Sequence, residues 1–241
     1  MANNMTSSAS QNRVANRLNK NTTFQIVEAY KTIRTNLLFA LSPMKEKMVL
    51  VSSAEPSAGK STVCSNLAIT MAQTNAKVLL IDTDMRKPTQ HKIFRLSNDT
   101  GLSKLLGGFS TLEEAVYRQV VPNLDVILSG PIPPNPSELL GSSKMEELLS
   151  SLSTEYDYIF VDGTPVNVVA DSMVIAPRMA GTLLVVRQQQ TTYDEVQKAA
   201  EHIRGVNGNI LGIVITDVKL KNKMYGSYKS YKSYDYRYGK S

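Results

Sequence analysis

The stretch Ala54-Glu55-Pro56-Ser57-Ala58-Gly59-Lys60-Ser61-Thr62 decides the architecture. Before it, Lys47 to Ser53 (KMVLVSS) is an apolar run of strand length; after it, Lys60 to Gln73 reads as a helix. A strand, a glycine-containing turn and a helix N-terminus in that order form a cradle for phosphate. Backbone N–H groups and the positive end of the helix dipole face an anion there. Gly59 lets the backbone come close to that anion. The Lys60 ammonium reaches the β and γ groups of a polyphosphate, and Ser61 is placed to ligate an accompanying Mg²⁺. Ser57, Ala58 and Thr62 complete the residues expected around the phosphates, with Thr62 one step deeper in the helix. The usual pattern is not fully met, since Ala54 stands at its first glycine and Ser57 where glycine is common.

Two further apolar runs end in acids. Leu79-Leu80-Ile81-Asp82-Thr83-Asp84-Met85-Arg86 closes a strand with alternating carboxylates. Side chains two apart on a strand share a face, so Asp82 and Asp84 are expected to point to one place. Carboxylates at the carboxyl end of a parallel strand lie where such sheets bind ligands. There they can hold Mg²⁺ or its water shell and accept a proton. The run Tyr158-Ile159-Phe160-Val161-Asp162 is the second strand of this kind. Beside a phosphate loop, an apolar strand ending in Asp is the usual second metal-binding element, expected to act on Mg²⁺ mostly through water. Taken singly, the first run could also be a solvated acidic turn, and the second reads equally well as a plain strand end. Together with the loop they indicate a nucleotide hydrolase or phosphoryl transferase.

Working outward, Leu124 to Leu128, Thr182 to Val186 and Ile210 to Ile215 are further buried-strand candidates. Helical stretches are expected over Phe24 to Ala40, Leu112 to Arg118, Ser142 to Leu152 and Tyr193 to Arg204. Apolar strands alternating with helices predict an α/β fold, a mainly parallel sheet with helices on both faces. A chain of 241 residues suits one such domain. It is expected to span residues 24–218, between a polar, loosely attached N-terminal segment (1–23) and a flexible tyrosine-rich tail (219–241).

Charge and composition narrow the function. The net charge of +6 sits wholly in the tail, which holds seven of the 27 basic and one of the 21 acidic residues. A neutral body argues against a nucleic-acid-binding face. Tyrosine interleaved with lysine in the tail would suit stacking on bases, but Arg237 is its one arginine, and no specific nucleic acid is expected. Cys64 is the single cysteine, which excludes an internal disulfide and suits the cytoplasm. With His91 and His202 alone beside it, no Cys/His metal cluster can be assembled. Cys64 and Met71 read as core positions. No window has the roughly 18 unbroken apolar residues of a membrane helix.

The doubled-acid strand Asp82-x-Asp84-x-Arg86 resembles the second Walker motif of the deviant-Walker P-loop ATPases, a superfamily holding the partition and septum-site ATPases and the bacterial tyrosine kinases. Several features resemble the kinase branch. Glu55 stands where partition ATPases carry an early lysine. The run Ser129-Gly130-Pro131-Ile132-Pro133-Pro134-Asn135-Pro136-Ser137-Glu138-Leu139-Leu140 is very similar to a kinase segment. Glu28, Lys31 and Arg34 match a Glu-x2-Arg-x2-Arg oligomerisation motif, with Lys31 for its first arginine. Tyr225, Tyr228, Tyr231, Tyr234, Tyr236 and Tyr238 form a tail cluster.

The resemblance, covering roughly Phe24 to Ser241, implies an ATP- and Mg²⁺-dependent protein-tyrosine kinase of the short Gram-positive form. It would phosphorylate its own six tail tyrosines in trans, besides other protein tyrosine substrates, and regulate exopolysaccharide or capsule synthesis and export. It implies Lys60 on the phosphates, Asp82 as the base that orients the tyrosine hydroxyl, and Ser61, Asp84 and Asp162 on the metal. It also implies a ring-like homo-oligomer through Glu28, Lys31 and Arg34. The expected partner is a transmembrane activator of the polysaccharide co-polymerase type, holding a cytoplasmic protein at the inner face of the membrane. Two departures are Asp162-Gly163-Thr164-Pro165 in place of Asp-Thr-Pro-Pro and Thr216 where an asparagine is frequent. The alternatives are a positioning ATPase of the partition or septum-site type and an ATP-binding scaffold.

Overall fold

The computed structural model describes residues 17–19 and 22–218. The six tail tyrosines and the rest of 219–241 lie outside the described residues, as do 1–16, 20 and 21. Seven strands form one sheet: β1 Met48–Ser53, β2 Val78–Asp82, β3 Val116–Val121, β4 Leu124–Ile127, β5 Tyr158–Asp162, β6 Gly181–Arg187 and β7 Ile210–Thr216. Their spatial order is β3-β4-β2-β5-β1-β6-β7. Every neighbouring pair is parallel except β3 with β4. The expected α/β architecture is therefore the observed one.

Strand periodicity splits the core in two. Val49, Val51, Leu80, Val126 and Phe160 face one cluster with helices α1 (Phe24–Leu41) and α2 (Lys60–Ala72). The alternate residues Leu50, Leu79, Ile81, Ile127, Ile159 and Val161 face the other, with α4 (Leu102–Gly107), α6 (Pro136–Gly141) and α7 (Ser143–Glu155). Burial on both sides is what makes these strands read as unbroken apolar runs. A third, smaller cluster joins Leu184 and Val186 to Ala199 and Ile203 of α9 (Tyr193–Gly205). That helix starts on a capping box, Thr192 with Glu195. In α1 the core-facing stripe is Tyr30, Ile33, Leu37 and Leu41, whereas Ile26, four residues before Tyr30, is exposed.

One expectation needs correction. Leu112 to Arg118 is helical only as the short α5 (Leu112–Ala115), after which the chain becomes β3. The Thr111–Glu114 capping box does start a helix. Val116, Tyr117, Val120 and Val121 then favour a pleated, half-buried strand, and Asn123 in left-handed backbone (φ 65°) turns it back onto β4. Two residues ahead of α1 touch the body. The Leu18 N–H donates to Asn66 Oδ1 at 2.9 Å, and the Arg17 guanidinium lies 5.6 Å from the Phe94 ring centroid.

The edge hairpin carries its own polar lock, with Asp125 as common acceptor. Gln119 N–H (2.7 Å), Tyr156 Oη (2.7 Å) and Arg118 Nη1 (2.9 Å) all donate to it. Burial would raise the Asp125 pKa, but these donors outweigh it and hold the carboxyl below its usual range. A depressed folded pKa gives stability that is present above the unfolded value, about 3.9, and lost as pH falls through the folded one. Asp125→Ala is accordingly expected to cost about 1–3 kcal/mol at pH 7. In urea unfolding the gap to wild type should narrow progressively as pH falls below about 3.9.

Candidate functional site

The loop hangs between β1, an inner strand flanked by β5 and β6, and α2. Ser57 has φ 66° and Gly59 φ 91°, both left-handed, which explains why glycine is common at the position Ser57 occupies. Ala54 is fully buried without left-handed backbone, so no glycine is required there. The first N–H groups of α2 receive no side-chain cap from Gly59, and that leaves them for an anion. The far strands brace the loop. Thr216 Oγ1, at the end of β7, donates to Ala58 O at 2.8 Å, and Arg187 Nη1, at the end of β6, donates to Ser57 O at 3.3 Å.

The order of the sheet brings the acids to the loop. β5 lies between β1 and β2, and Asp82 pairs in register with Asp162. Lys60 Nζ stands 2.9 Å from Asp84 Oδ2 and 3.2 Å from Asp162 Oδ1, and donates to Ser61 Oγ at 3.1 Å. Asp82 makes no ion pair with Lys60. It accepts the N–H of Asp84 at 3.1 Å and of Gln90, the first residue of α3 (Gln90–Phe94), at 3.2 Å. The acids do converge, though not by strand alternation. β2 stops at Asp82, and Asp84 arrives through the turn that its own N–H closes on the Asp82 carboxylate.

Electrostatics follow from burial. Desolvation pulls the Lys60 ammonium down, but Asp162, Asp84 and Asp82 outweigh it and hold the lysine above its ordinary value. Desolvation, then the Asp162 charge, pushes Asp82 up against the pull of Lys60. Asp162 is pushed up by burial and opposed by Lys60. Three carboxylates against one ammonium leave an excess of negative charge that suits a divalent cation. Among the described residues no group of three or more His, Cys, Asp or Glu side chains is arranged to hold a metal unaided. A cation here needs phosphate oxygens as well, and Mg²⁺ is commonly held that way.

Several partnerships within the site carry no signal in the sequence. Arg86 grips the buried Asp171 with Nε at 2.7 Å and Nη2 at 3.0 Å, and Ser137 Oγ donates to the same carboxylate. This ties the turn after Asp84 to the proline run and to α8 (Asp171–Ile175). Gln90 contacts both Ser61 and Asp162, 29 and 72 residues away. The departure at Gly163 also has a steric reason: a Cβ there would meet Ser172 Oγ at 2.4 Å and Leu50 Cδ1 at 2.7 Å. Cys64 is buried, as a core position should be. Away from the loop, Glu28 and Lys31 pair with each other within α1 at 2.8 Å, and Arg34 Nη1 donates to Thr70 O at 2.9 Å.

A lysine, two strand-end carboxylates and a third from the turn after β2, gathered at a left-handed loop before a helix, serve one kind of chemistry. Fold and site together define a P-loop protein of the nucleotide-dependent phosphoryl-transfer class. Residues 46–210 match the AAA domain family. The chain is 42% identical to the tyrosine-protein kinase YwqD of Bacillus subtilis, over 83% of this chain and 85% of that one. To the putative tyrosine-protein kinase CapB of Staphylococcus aureus it is 39% identical, over 84% and 90%. The solved kinase domain of the Escherichia coli tyrosine kinase ETK superposes with a TM-score of 0.76 at 35% identity, over 81% and 78% of the two chains. The Pyrococcus furiosus cell division ATPase MinD shares the fold at 21% identity and a TM-score of 0.61, over 77% and 80%. The chain belongs to the family of bacterial tyrosine kinases.

Proposed function

We propose that this chain transfers the γ-phosphoryl group of ATP to tyrosine hydroxyls, with Tyr225, Tyr228, Tyr231, Tyr234, Tyr236 and Tyr238 of a neighbouring copy as acceptors. The observation that carries the reading is the convergence of Lys60, Asp82, Asp84 and Asp162 at a loop built for phosphate. A hydrolase that discharges to water would need the same loop. The kinship with YwqD and CapB favours tyrosine over water as the acceptor.

In this reading Lys60 leaves its carboxylates for the β and γ phosphates, which the loop N–H groups also hold. Phosphoryl transfer of this kind is mainly positioning and neutralisation of charge. Mg²⁺ bound beside Ser61, Asp84 and Asp162 would supply positive charge to the transferred group. Asp82 orients the attacking hydroxyl and receives its proton. A tyrosine with a reference pKa of about 10 can give that proton up late in a loose transition state. Glu28, Lys31 and Arg34 contribute to a contact between copies in a ring, which brings one copy's tail to the next copy's site. Control of exopolysaccharide or capsule synthesis, through a transmembrane activator of the polysaccharide co-polymerase type at the inner membrane face, completes the reading. Among the described residues no helix is long and apolar enough to cross a membrane.

The test is intact-protein and tail-peptide mass spectrometry after incubation with ATP and Mg²⁺, with and without the cytoplasmic segment of a candidate activator. Phosphate on residues between Tyr225 and Tyr238 is the expected result. ATP binding with no phosphotyrosine under either condition would instead support an ATP-binding scaffold or a positioning ATPase.

A further inference from the structure

Gln90 is fully buried and meets all three motifs of the site. Its side-chain Nε2 donates to Asp162 Oδ2 at 2.8 Å and to Ser61 O at 3.1 Å, while its backbone N–H donates to Asp82 Oδ2 at 3.2 Å. Asp162 is thus held through both oxygens, Oδ1 by Lys60 and Oδ2 by Gln90. The partners also settle which end of the amide is which. A carboxylate and a carbonyl can only accept, so the group facing them is the NH₂. The remaining atom, Oε1, is buried without a hydrogen-bond partner, and such an atom costs stability unless something satisfies it. It is bonded to the same carbon as an NH₂ already touching Asp162, which keeps it within a few ångströms of that carboxylate.

A hydrophobic residue of similar size would fill the space with no unsatisfied acceptor. The structure instead keeps an amide whose two N–H bonds join the residue expected on the metal, Ser61, to the strand-end acid Asp162. Groups that hold a metal ligand by its second atom fix its direction, and their loss typically costs 10–100-fold in metal affinity or activity.

We propose that Gln90 is a positioning residue for phosphoryl transfer. Its amide locks the Asp162 carboxylate and the Ser61 backbone in the geometry that receives the Mg²⁺–nucleotide complex, and its free Oε1 takes a donor that enters with that complex. The proposal rests on the phosphoryl-transfer reading, though not on tyrosine being the acceptor. Before nucleotide binds, Asp162 keeps its other partner, Lys60, so the site is loosened by losing Gln90 but not dismantled.

The experiment is calorimetric ADP binding by the full chain, with and without Mg²⁺, for wild type, Gln90→Leu and Gln90→Glu, beside kcat and KM for autophosphorylation. In wild type, Mg²⁺ is expected to tighten ADP. In Gln90→Leu that tightening should shrink about tenfold while Mg²⁺-free affinity stays within threefold of wild type, and kcat should fall about 10–100-fold with KM for ATP little changed. Gln90→Glu keeps the shape but turns the donor into an acceptor beside Asp162, so it should be worse than Gln90→Leu. A space-filling role gives the reverse order, the near-isosteric Glu variant staying close to wild type. That order would overturn the proposal, as would equal losses with and without Mg²⁺. Should Gln90→Leu fail to fold, Gln90→Met carries the same comparison. A wild type that binds Mg²⁺–ADP but never phosphorylates tyrosine overturns the kinase reading alone, and the calorimetry still decides for Gln90.

Discussion

Lys60→Met is expected to abolish phosphotyrosine in the tail, lowering transfer by at least about 10²–10³-fold, the usual consequence of removing one preorganised donor from a developing charge. Methionine keeps the apolar stem of lysine and its helix propensity, so α2 should still form. The loss should fall on the charge, and it should also show in stability. Among the described residues Lys60 is the one cation paired with Asp84 and Asp162 and near Asp82. Removing it leaves buried carboxylates uncompensated, at a cost of about 3–5 kcal/mol. The sign of the pH dependence follows from which groups titrate. The folded pKa of Lys60 is raised, so its own contribution is complete below about 10.4 and does not vary across neutral pH. Asp82 and Asp162 already titrate high through burial, and they rise further once the ammonium is gone. The variant should therefore be most destabilised near pH 8 and approach wild type near pH 5, where the carboxylates can take up protons. Urea unfolding at both pH values, beside intact mass after ATP, checks the two effects separately. A Lys60→Met chain that phosphorylates at the wild-type rate would remove Lys60 from the site.

The parts of this site that the sequence makes legible are those that end an apolar run. Asp82 follows Leu79-Leu80-Ile81 and Asp162 follows Ile159-Phe160-Val161, so both could be set at strand ends before any pairing was known. Lys60 after Gly59 opens a helix for the same kind of local reason. That β5 should lie between β1 and β2, and so bring Asp162 beside Asp82, is a matter of strand order, which no local pattern contains. The partners of these residues are harder still. Arg86 and Asp171 are 85 residues apart, and Gln90 reaches a strand 72 residues on. A glutamine eight residues past Asp82 looks like any polar helix residue until the fold buries it. The helix expected over Leu112 to Arg118 fails for a related reason. Its capping box is real, but β4 offers a bare edge, and pairing with that edge outweighs helical continuation at Val116.

Asp82→Asn should lower transfer to tyrosine by about 10²–10⁴-fold, the range associated with loss of a general base, while ATP binding stays within a few-fold of wild type. Both carboxylate oxygens of Asp82 accept a backbone N–H, from Asp84 and from Gln90. Each oxygen keeps a further lone pair with which to take the tyrosine proton. Asparagine matches the size but has one acceptor oxygen, so one N–H loses its partner at about 1–3 kcal/mol. Against this stands the relief of a buried charge, and the two effects oppose each other so that the chain should remain folded. They separate on titration. Burial and the Asp162 charge raise the folded pKa of Asp82, so wild type binds this proton more readily when folded and gains stability as pH falls through that pKa. Asparagine cannot titrate. Relative to wild type, the variant should look best near pH 8 and worst near pH 5, the opposite trend to Lys60→Met. Melting curves at the two pH values, run beside tail-peptide mass spectrometry, read both effects. If Asp82→Asn transfers phosphate as fast as wild type, the base lies elsewhere. Asp84 is then the next carboxylate to replace, because its Oδ2 is already in contact with Lys60.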